Sequence, residues 1–128
     1  MIGGLEILDD GARLWDAVRH AAPLPAAKPL WRVIIPATRA PALVAALPEA
    51  DWLFDWAGGL VWLATDADPQ VLRTMTAAAG GHALLVRADA ALRAAVPALH
   101  PQPAPLAALE ERVRRAFDPA GVFETGRF

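Results

Sequence analysis

The amino-acid sequence predicts an α+β protein built on a ferredoxin-like antiparallel sheet, with helices on one face and additional N-terminal and C-terminal helices. The first observation is the element order within residues 28–87, where strand, helix, strand, strand, helix and strand (βαββαβ) follow one another. The second is the Gly58-Gly59 pair between two apolar runs, which is typical of a β-hairpin. The third is length, because 128 residues suffice for one domain and are too few for two ordinary ones.

The strands are predicted from short runs of β-branched and aromatic residues bounded by proline, glycine or aspartate. These runs cover residues 28–36, 51–57, 60–65 and 82–87. The helices are predicted from capping residues and apolar periodicity. Asp9 or Asp10 caps a helix to about residue 22, Thr38 caps a short helix that ends before Pro48, and Asp68 caps a third. The fourth helix covers about 106–117, and one helical turn is expected within 89–96.

The whole chain, 1–128, is therefore expected to form a single domain of four parts. These are an N-terminal arm and helix (1–24), a ferredoxin-like cap (28–87), an Ala/Pro-rich connector (88–104) and a C-terminal helix with its tail (105–128).

Alternation along the strands predicts which side chains share a face of the sheet. With a two-residue turn at Gly58-Gly59, Asp55 would lie opposite Trp62. One face, under the helices, then carries Trp52, Phe54, Trp56, Val61 and Leu63. The other carries Leu53, Asp55, Leu60, Trp62 and Arg32. This second face is too apolar to stay bare in water, so another domain, a second copy or a ligand is expected to cover it.

Composition excludes several classes of function. There is no cysteine and no serine, so disulfides, thiol catalysis, Fe–S clusters and serine hydrolase chemistry are ruled out. The net charge of −2 and the absence of a basic run argue against nucleic acid as a partner. The spacing of the histidines and carboxylates along the chain does not indicate a metal site. Four prolines interrupt the longest uncharged stretch, 94–109, so no transmembrane segment is expected, and the acidic N-terminus favours the cytoplasm.

The tail from Arg114 to Phe128, RRAFDPAGVFETGRF, resembles the C-terminus of FAD-linked oxidases of the vanillyl-alcohol oxidase superfamily. That family ends in Phe-Asp-Pro-x-Gly-Ile-Phe-Asn-Pro-Gly-Arg/Lys. The matching residues here are Phe117, Asp118, Pro119, Gly121, Phe123, Gly126 and Arg127. Glu124 and Thr125 stand in place of Asn-Pro.

Three further segments resemble the FAD-binding E subunit of bacterial glycolate oxidase, in the same order and at similar spacing. They are PLWRVIIP (29–36), FDWAGGLVWL (54–63) and AAAGGHALLVR (77–87). The family typically has Leu-Trp-Arg, Asp-Trp-Gly-Gly-Ala-Gln-Arg-Trp and Gly-Gly-His-Ala at these places. The Gln-Arg pair is replaced by Leu60-Val61 in this chain.

The resemblance implies a role in the flavin-dependent oxidation of glycolate, a 2-hydroxy acid, to glyoxylate. It implies FAD as cofactor, held mainly by an N-terminal FAD domain that this chain does not contain, so the chain alone is expected to be inactive. The chain is then either a piece of a longer protein or a short natural paralogue. The implied partners are the flavin and iron–sulfur subunits of the oxidase, with self-association through the second sheet face as a further expectation.

Site residues follow from the resemblance and from the faces. Arg32, Asp55 and Trp62 are the candidates that face the substrate or the flavin, and Gly126 and Arg127 are candidates for cofactor binding. Arg32 either binds a small carboxylate or simply pairs with Asp55. No residue is assigned as catalytic, and no metal is expected. The alternative function is a free-standing ferredoxin-like module that binds a partner or effector without catalysis.

The tail itself is expected to be anchored by two aromatic side chains. Phe117 would complete an apolar stripe with Leu106, Leu109 and Val113 and dock on the core. Gly121 would take a positive φ in a turn, and Phe123 would follow inward. Arg127 would point to solvent in the absence of the FAD domain.

Overall fold

A computed structural model describes residues 10–123 of the chain. The helices are α1 (Gly11–Arg19), α2 (Ala40–Ala45), α3 (Pro69–Ala78), α4 (Ala90–Ala95) and α5 (Ala104–Phe117). The strands are β1 (Leu30–Ile34), β2 (Asp51–Asp55), β3 (Leu60–Ala64) and β4 (His82–Arg87). A single 3₁₀ turn, Trp56–Gly58, joins β2 to β3. The expected positions of Gly126 and Arg127 lie outside the described residues.

The four strands form one antiparallel sheet in the order β2-β3-β1-β4. Two βαβ halves interleaved in this way are the ferredoxin-like arrangement, so the predicted fold class is confirmed. Arg32 is the central residue of β1 and pairs with Trp62 of β3 on one side and Leu84 of β4 on the other. This register places Arg32 in the middle of the sheet.

One face of the sheet is packed under helices. Its core is formed by fully or nearly fully buried side chains of β1, β3, β4, α2 and α3, namely Trp31, Val33, Ile35, Ala40, Leu43, Val61, Leu63, Leu72, Ala83 and Leu85. Leu92 and Val96, on and after α4, pack against the same cluster. The strand residues predicted for this face, Phe54, Val61 and Leu63, are in or against this core, as the alternation indicated.

Side-chain caps begin three of the helices. Asp10, Asp68 and Asp89 each accept a hydrogen bond from a backbone N–H in the first turn of α1, α3 and α4. The predicted cap at Thr38 is wrong, because α2 starts after Arg39 without a side-chain cap. A proline in its first turn has no N–H that needs a partner, which makes a cap less necessary there.

The hairpin between β2 and β3 is longer than the two-residue turn predicted. Asp55 pairs with Leu60 instead of Trp62, and Trp56 to Gly59 form the loop. The carboxylate of Asp55 accepts the Trp56 N–H at 2.7 Å and so favours an early end to the strand. A shift of two residues preserves the alternation, so the faces of the strand residues are as predicted. Trp56 is the exception, because it lies in the loop with a positive φ and is exposed.

The outer edge of β4 is covered by the connector that follows α4. Leu85 donates its N–H to the Ala98 carbonyl at 2.8 Å, and Ala83 donates its N–H to Nδ1 of His100 at 3.2 Å. Arg73 of α3, only 5% exposed, holds the connector from below by donating to the carbonyls of Pro97 and Leu99. The guanidinium carbon of Arg73 also lies 5.4 Å from the ring centroid of the buried Trp31, in a cation–π contact. The connector is therefore a fixed part of the fold.

The helix α5 does not bury its apolar stripe. Leu106, Leu109 and Val113 are exposed, and Phe117 is 85% exposed. Phe123 is 79% exposed, so the prediction that both phenylalanines dock on the core is wrong. The turn itself is as predicted, since Gly121 has a φ of 67°.

Candidate functional site

The face of the sheet opposite the helical core carries most of the predicted site residues. We call it the open face and define it by the side chains of Arg32, Ile34, Leu53, Asp55, Leu60, Trp62, His82 and Leu84, which share it through the strand register. The chain itself covers part of this face. Ala21 and Leu24, just after α1, pack with Leu30 and Ala64 and touch Leu53 and Trp62. Leu60 is only 2% exposed in the single chain, so its burial does not require a second copy.

Arg32 projects from the centre of the open face. Its guanidinium carbon lies 5.1 Å from the ring centroid of Trp56, in a cation–π contact. Within residues 10–123, no ion pair or hydrogen bond joins Arg32 to Asp55, which is the contact that the second of the two alternatives for Arg32 requires. No hydrogen bond within residues 10–123 uses the N–H groups of this guanidinium, so they are left for another acceptor.

Helix α1 and the open face enclose a cleft of about 480 Å³, which we call the α1 cleft. Its walls are rich in tryptophan and arginine: Trp15, Val18, Arg19, Arg32, Asp55, Trp56, Leu60 and Trp62. The indole N–H of Trp62 is buried without an acceptor among the described residues. A buried donor left unpaired costs free energy, and an oxygen from a ligand or a covering domain would relieve that cost.

A second cleft of about 450 Å³ lies between the open face and helix α5, and we call it the α5 cleft. The sheet contributes Arg32, Ile34, His82 and Leu84; the connector and α5 contribute Leu99, His100, Gln102, Ala107, Glu110 and Arg114. Arg114 is ion-paired with Glu111 at 3.8 Å. Arg32 lines both clefts, so it is the residue that joins them.

His100 is held in one tautomer by a hydrogen bond from β4. Since Nδ1 accepts the Ala83 N–H, the proton of the neutral ring must be on Nε2. Burial lowers the pKa of His100, and the neighbouring Arg73 and His82 lower it further. His100 therefore stays neutral at pH 7 and presents an N–H donor from Nε2.

The structure brings together three of the five residues predicted from sequence. Arg32, Asp55 and Trp62 all line the α1 cleft. Sequence reasoning missed the second cleft and its residues His82, His100, Glu110 and Arg114. His82 was visible within the Gly-Gly-His-Ala motif, but nothing local in the sequence signals that the connector brings His100 beside it.

The other classes of site receive no support from the structure. Among residues 10–123, no group of histidine, aspartate and glutamate side chains is arranged to hold a metal ion. In the same part of the chain, no helix has the length and apolar character needed to cross a bilayer.

Comparison with known proteins gives one informative similarity. The chain is 30% identical over 131 aligned residues to the glycolate oxidase subunit GlcE of Escherichia coli (strain K12). The alignment covers 99% of this chain and 33% of GlcE, so the chain spans about a third of that relative's length. No family model matches the chain, and no solved structure matches it.

The departure at Leu60-Val61 has a clear structural setting. Val61 is fully buried in the core under the helices, and Leu60 lines the α1 cleft with an apolar side chain. Where the resembling subunits have a Gln-Arg pair, this chain therefore contributes packing, and the charge of the α1 cleft comes from Arg19, Arg32 and Asp55.

Proposed function

We propose that this chain acts as the cap and C-terminal part of an FAD-binding subunit of a glycolate-oxidase-type enzyme, in which flavin oxidises a 2-hydroxy acid to a 2-oxo acid. The observation that carries the proposal is the similarity to the glycolate oxidase subunit GlcE along 99% of the chain. FAD would be held mainly by a separate FAD domain, which corresponds to the part of such subunits that this chain does not match.

The open face is the surface proposed to cover the flavin. It combines apolar walls with few charges, and such a roof excludes water and fixes the orientation of ring and substrate. When bound, the flavin accepts the hydride. The residues of this chain bind and orient: Trp56 and Trp62 offer flat apolar surfaces in the α1 cleft, and Arg32 offers a cation at its junction with the α5 cleft.

Exposed apolar side chains outside the clefts also favour a covering domain. The stripe of α5, together with Val122 and Phe123 after it, leaves several large apolar side chains in water. Patches of this kind mark surfaces that bind other protein. The FAD domain, and beyond it the flavin and iron–sulfur subunits of the oxidase, are the proposed partners.

A chimera tests the proposal directly. The third of GlcE that aligns with this chain would be replaced by residues 1–128, and the chimera would be produced with the other subunits of the complex. We expect the purified chimera to retain flavin and to reduce an acceptor dye with glycolate, whereas the 128-residue chain alone should be colourless and inactive. Arg32→Ala should lower the activity of the chimera, and Arg112→Ala, on an exposed position of α5, is the matched control.

A chimera that folds and holds flavin but oxidises no 2-hydroxy acid would contradict the proposal. In that case a free-standing binding module becomes the better hypothesis, especially if the reading frame upstream of Met1 encodes no FAD domain.

A further inference from the structure

The α5 cleft contains two hydrogen-bond donors that the fold holds in place from different elements. Arg32 is fixed on the central strand β1 and stacked on Trp56. His100 is fixed on the connector, which is attached to β4 and to Arg73. Both side chains line the same cavity of about 450 Å³, a volume in the range of small-molecule sites.

The donors of these residues are not used elsewhere in the described part of the chain. Neither the guanidinium nitrogens of Arg32 nor Nε2 of His100 makes a hydrogen bond within residues 10–123. Since the hydrogen bond between His100 and Ala83 is made through Nδ1, the Nε2–H of His100 is the donor available to a ligand. A charged planar fork and a neutral N–H together match a carboxylate group.

The rest of the cavity limits the charge and size of the ligand. Ile34, Leu84, Leu99 and Ala107 provide apolar surface for a short carbon chain. Arg114 also lines the cavity, but its charge is ion-paired with Glu111 at 3.8 Å. Glu110 lines the same cavity and opposes negative charge, so an anion with two charges is disfavoured relative to one with a single charge.

We propose that the α5 cleft binds a small organic monocarboxylate through the guanidinium of Arg32 and the Nε2–H of His100. This deepens the proposed function and rests on it for the choice of a 2-hydroxy acid as the ligand. His100 acts here as a positioning donor in its neutral form, so binding does not require its protonation.

Titration of the ¹⁵N-labelled 128-residue chain with glycolate, followed by NMR, tests the proposal without any flavin. We expect saturable shifts of the Arg32 side-chain Nε–H and of the His100 ring nitrogens, with Nε2 protonated in the free chain. Inorganic phosphate should bind more weakly than glycolate.

Three variants and a control sharpen the test. In His100→Asn the side-chain oxygen can still accept the Ala83 N–H but the Nε2 donor is lost, so the glycolate Kd should rise about tenfold, as should the Kd of Arg32→Lys, which lacks the planar fork. Glu110→Gln should lower the Kd, because it removes the opposing charge. His20→Asn, just after α1 and outside both clefts, should bind like the unmodified chain.

The proposal is overturned if glycolate causes no saturable shift, if His100→Asn and Arg32→Lys bind as well as the unmodified chain, or if phosphate binds as tightly as glycolate. These results are independent of the chimera. An active chimera whose cap binds no glycolate in isolation would leave the proposed function standing and remove this inference, and a binding cap in an inactive chimera would do the reverse.

Discussion

Gly81 lies where the chain crosses closest to the backbone of β1. A Cβ built on it would collide with the carbonyl oxygen of Ile34 and come within 3.1 Å of the Ile35 Cα. Both neighbours belong to the central strand and its continuation and have little freedom to move. The second glycine of the Gly-Gly-His-Ala motif is thus explained by close packing between the start of β4 and β1.

Alanine substitutions at two glycines should have opposite effects on stability. Gly81→Ala should lower the free energy of unfolding by about 1–3 kcal/mol, since overpacking against fixed backbone forces a shift. Gly11→Ala, at the start of α1 with no atom within 4 Å of the added Cβ, should raise it by up to about 1 kcal/mol. Urea denaturation of the two variants measures both. Equal effects would mean that the approach of β4 to β1 is looser than described.

At the scale of elements, the connector makes stability depend on pH through His100. Its pKa in the folded chain is below the ordinary value, first because of burial and then because of Arg73 and His82. The unfolded chain therefore takes up a proton before the folded chain does. The part of the folding stability that depends on neutral His100 is fully present above about pH 6.5, the ordinary histidine pKa. It is lost as the pH falls through the pKa of His100 in the folded chain.

We expect the free energy of unfolding to decline as the pH falls from about 7.5 to 5 in a series of urea titrations. His100→Asn should flatten part of this decline, because the group that titrates is gone while the acceptor for Ala83 is kept. A decline that is the same in His100→Asn would show that another group causes it.

The elements themselves could be predicted from sequence, because caps, prolines and strand alternation are local signals. Asp10, Asp68 and Asp89 each cap the N-terminus of a helix, as an aspartate just before a helical pattern commonly does. The hairpin register could not be predicted, since the longer loop depends on a hydrogen bond that the Trp56 N–H donates to the Asp55 side chain. The α5 cleft could not be predicted either, because it depends on where a connector with no pattern of its own crosses the sheet.

Helix α5 was predicted correctly, but the prediction that its apolar stripe packs on the core was wrong. Its period correctly predicted a stripe of Leu106, Leu109, Val113 and Phe117, and the stripe was expected to face the core. The residues that line the cleft are Ala107, Glu110 and Arg114, about one position further around the helix. Amphipathicity indicates that a face is made for contact, but it does not say which surface makes the contact.

At the scale of the whole molecule, the apolar side chains of this chain form two surfaces. Within residues 10–123, one surface is buried as the core under the helices, and the other, the stripe of α5, is exposed. Leu72→Ala, in the closed core with no exposed surface, should lower the free energy of unfolding by about 2–5 kcal/mol. Phe117→Ala, on the exposed stripe, should change it by less than about 0.5 kcal/mol. Thermal melts of the two variants of the 128-residue chain compare them. A large loss from Phe117→Ala would mean that the stripe is buried in solution.

The two outer strands of the sheet differ in how they would meet other chains. The connector occupies the outer edge of β4, whereas β2 pairs only with β3 in the described part of the chain. If two copies joined β2 to β2 in antiparallel fashion about Leu53, Asp51 of each would face Asp55 of the other. Like charges directly opposite each other disfavour such pairing. The acidic ends of β2 thus oppose the pairing of two sheets at the edge that the connector does not cover.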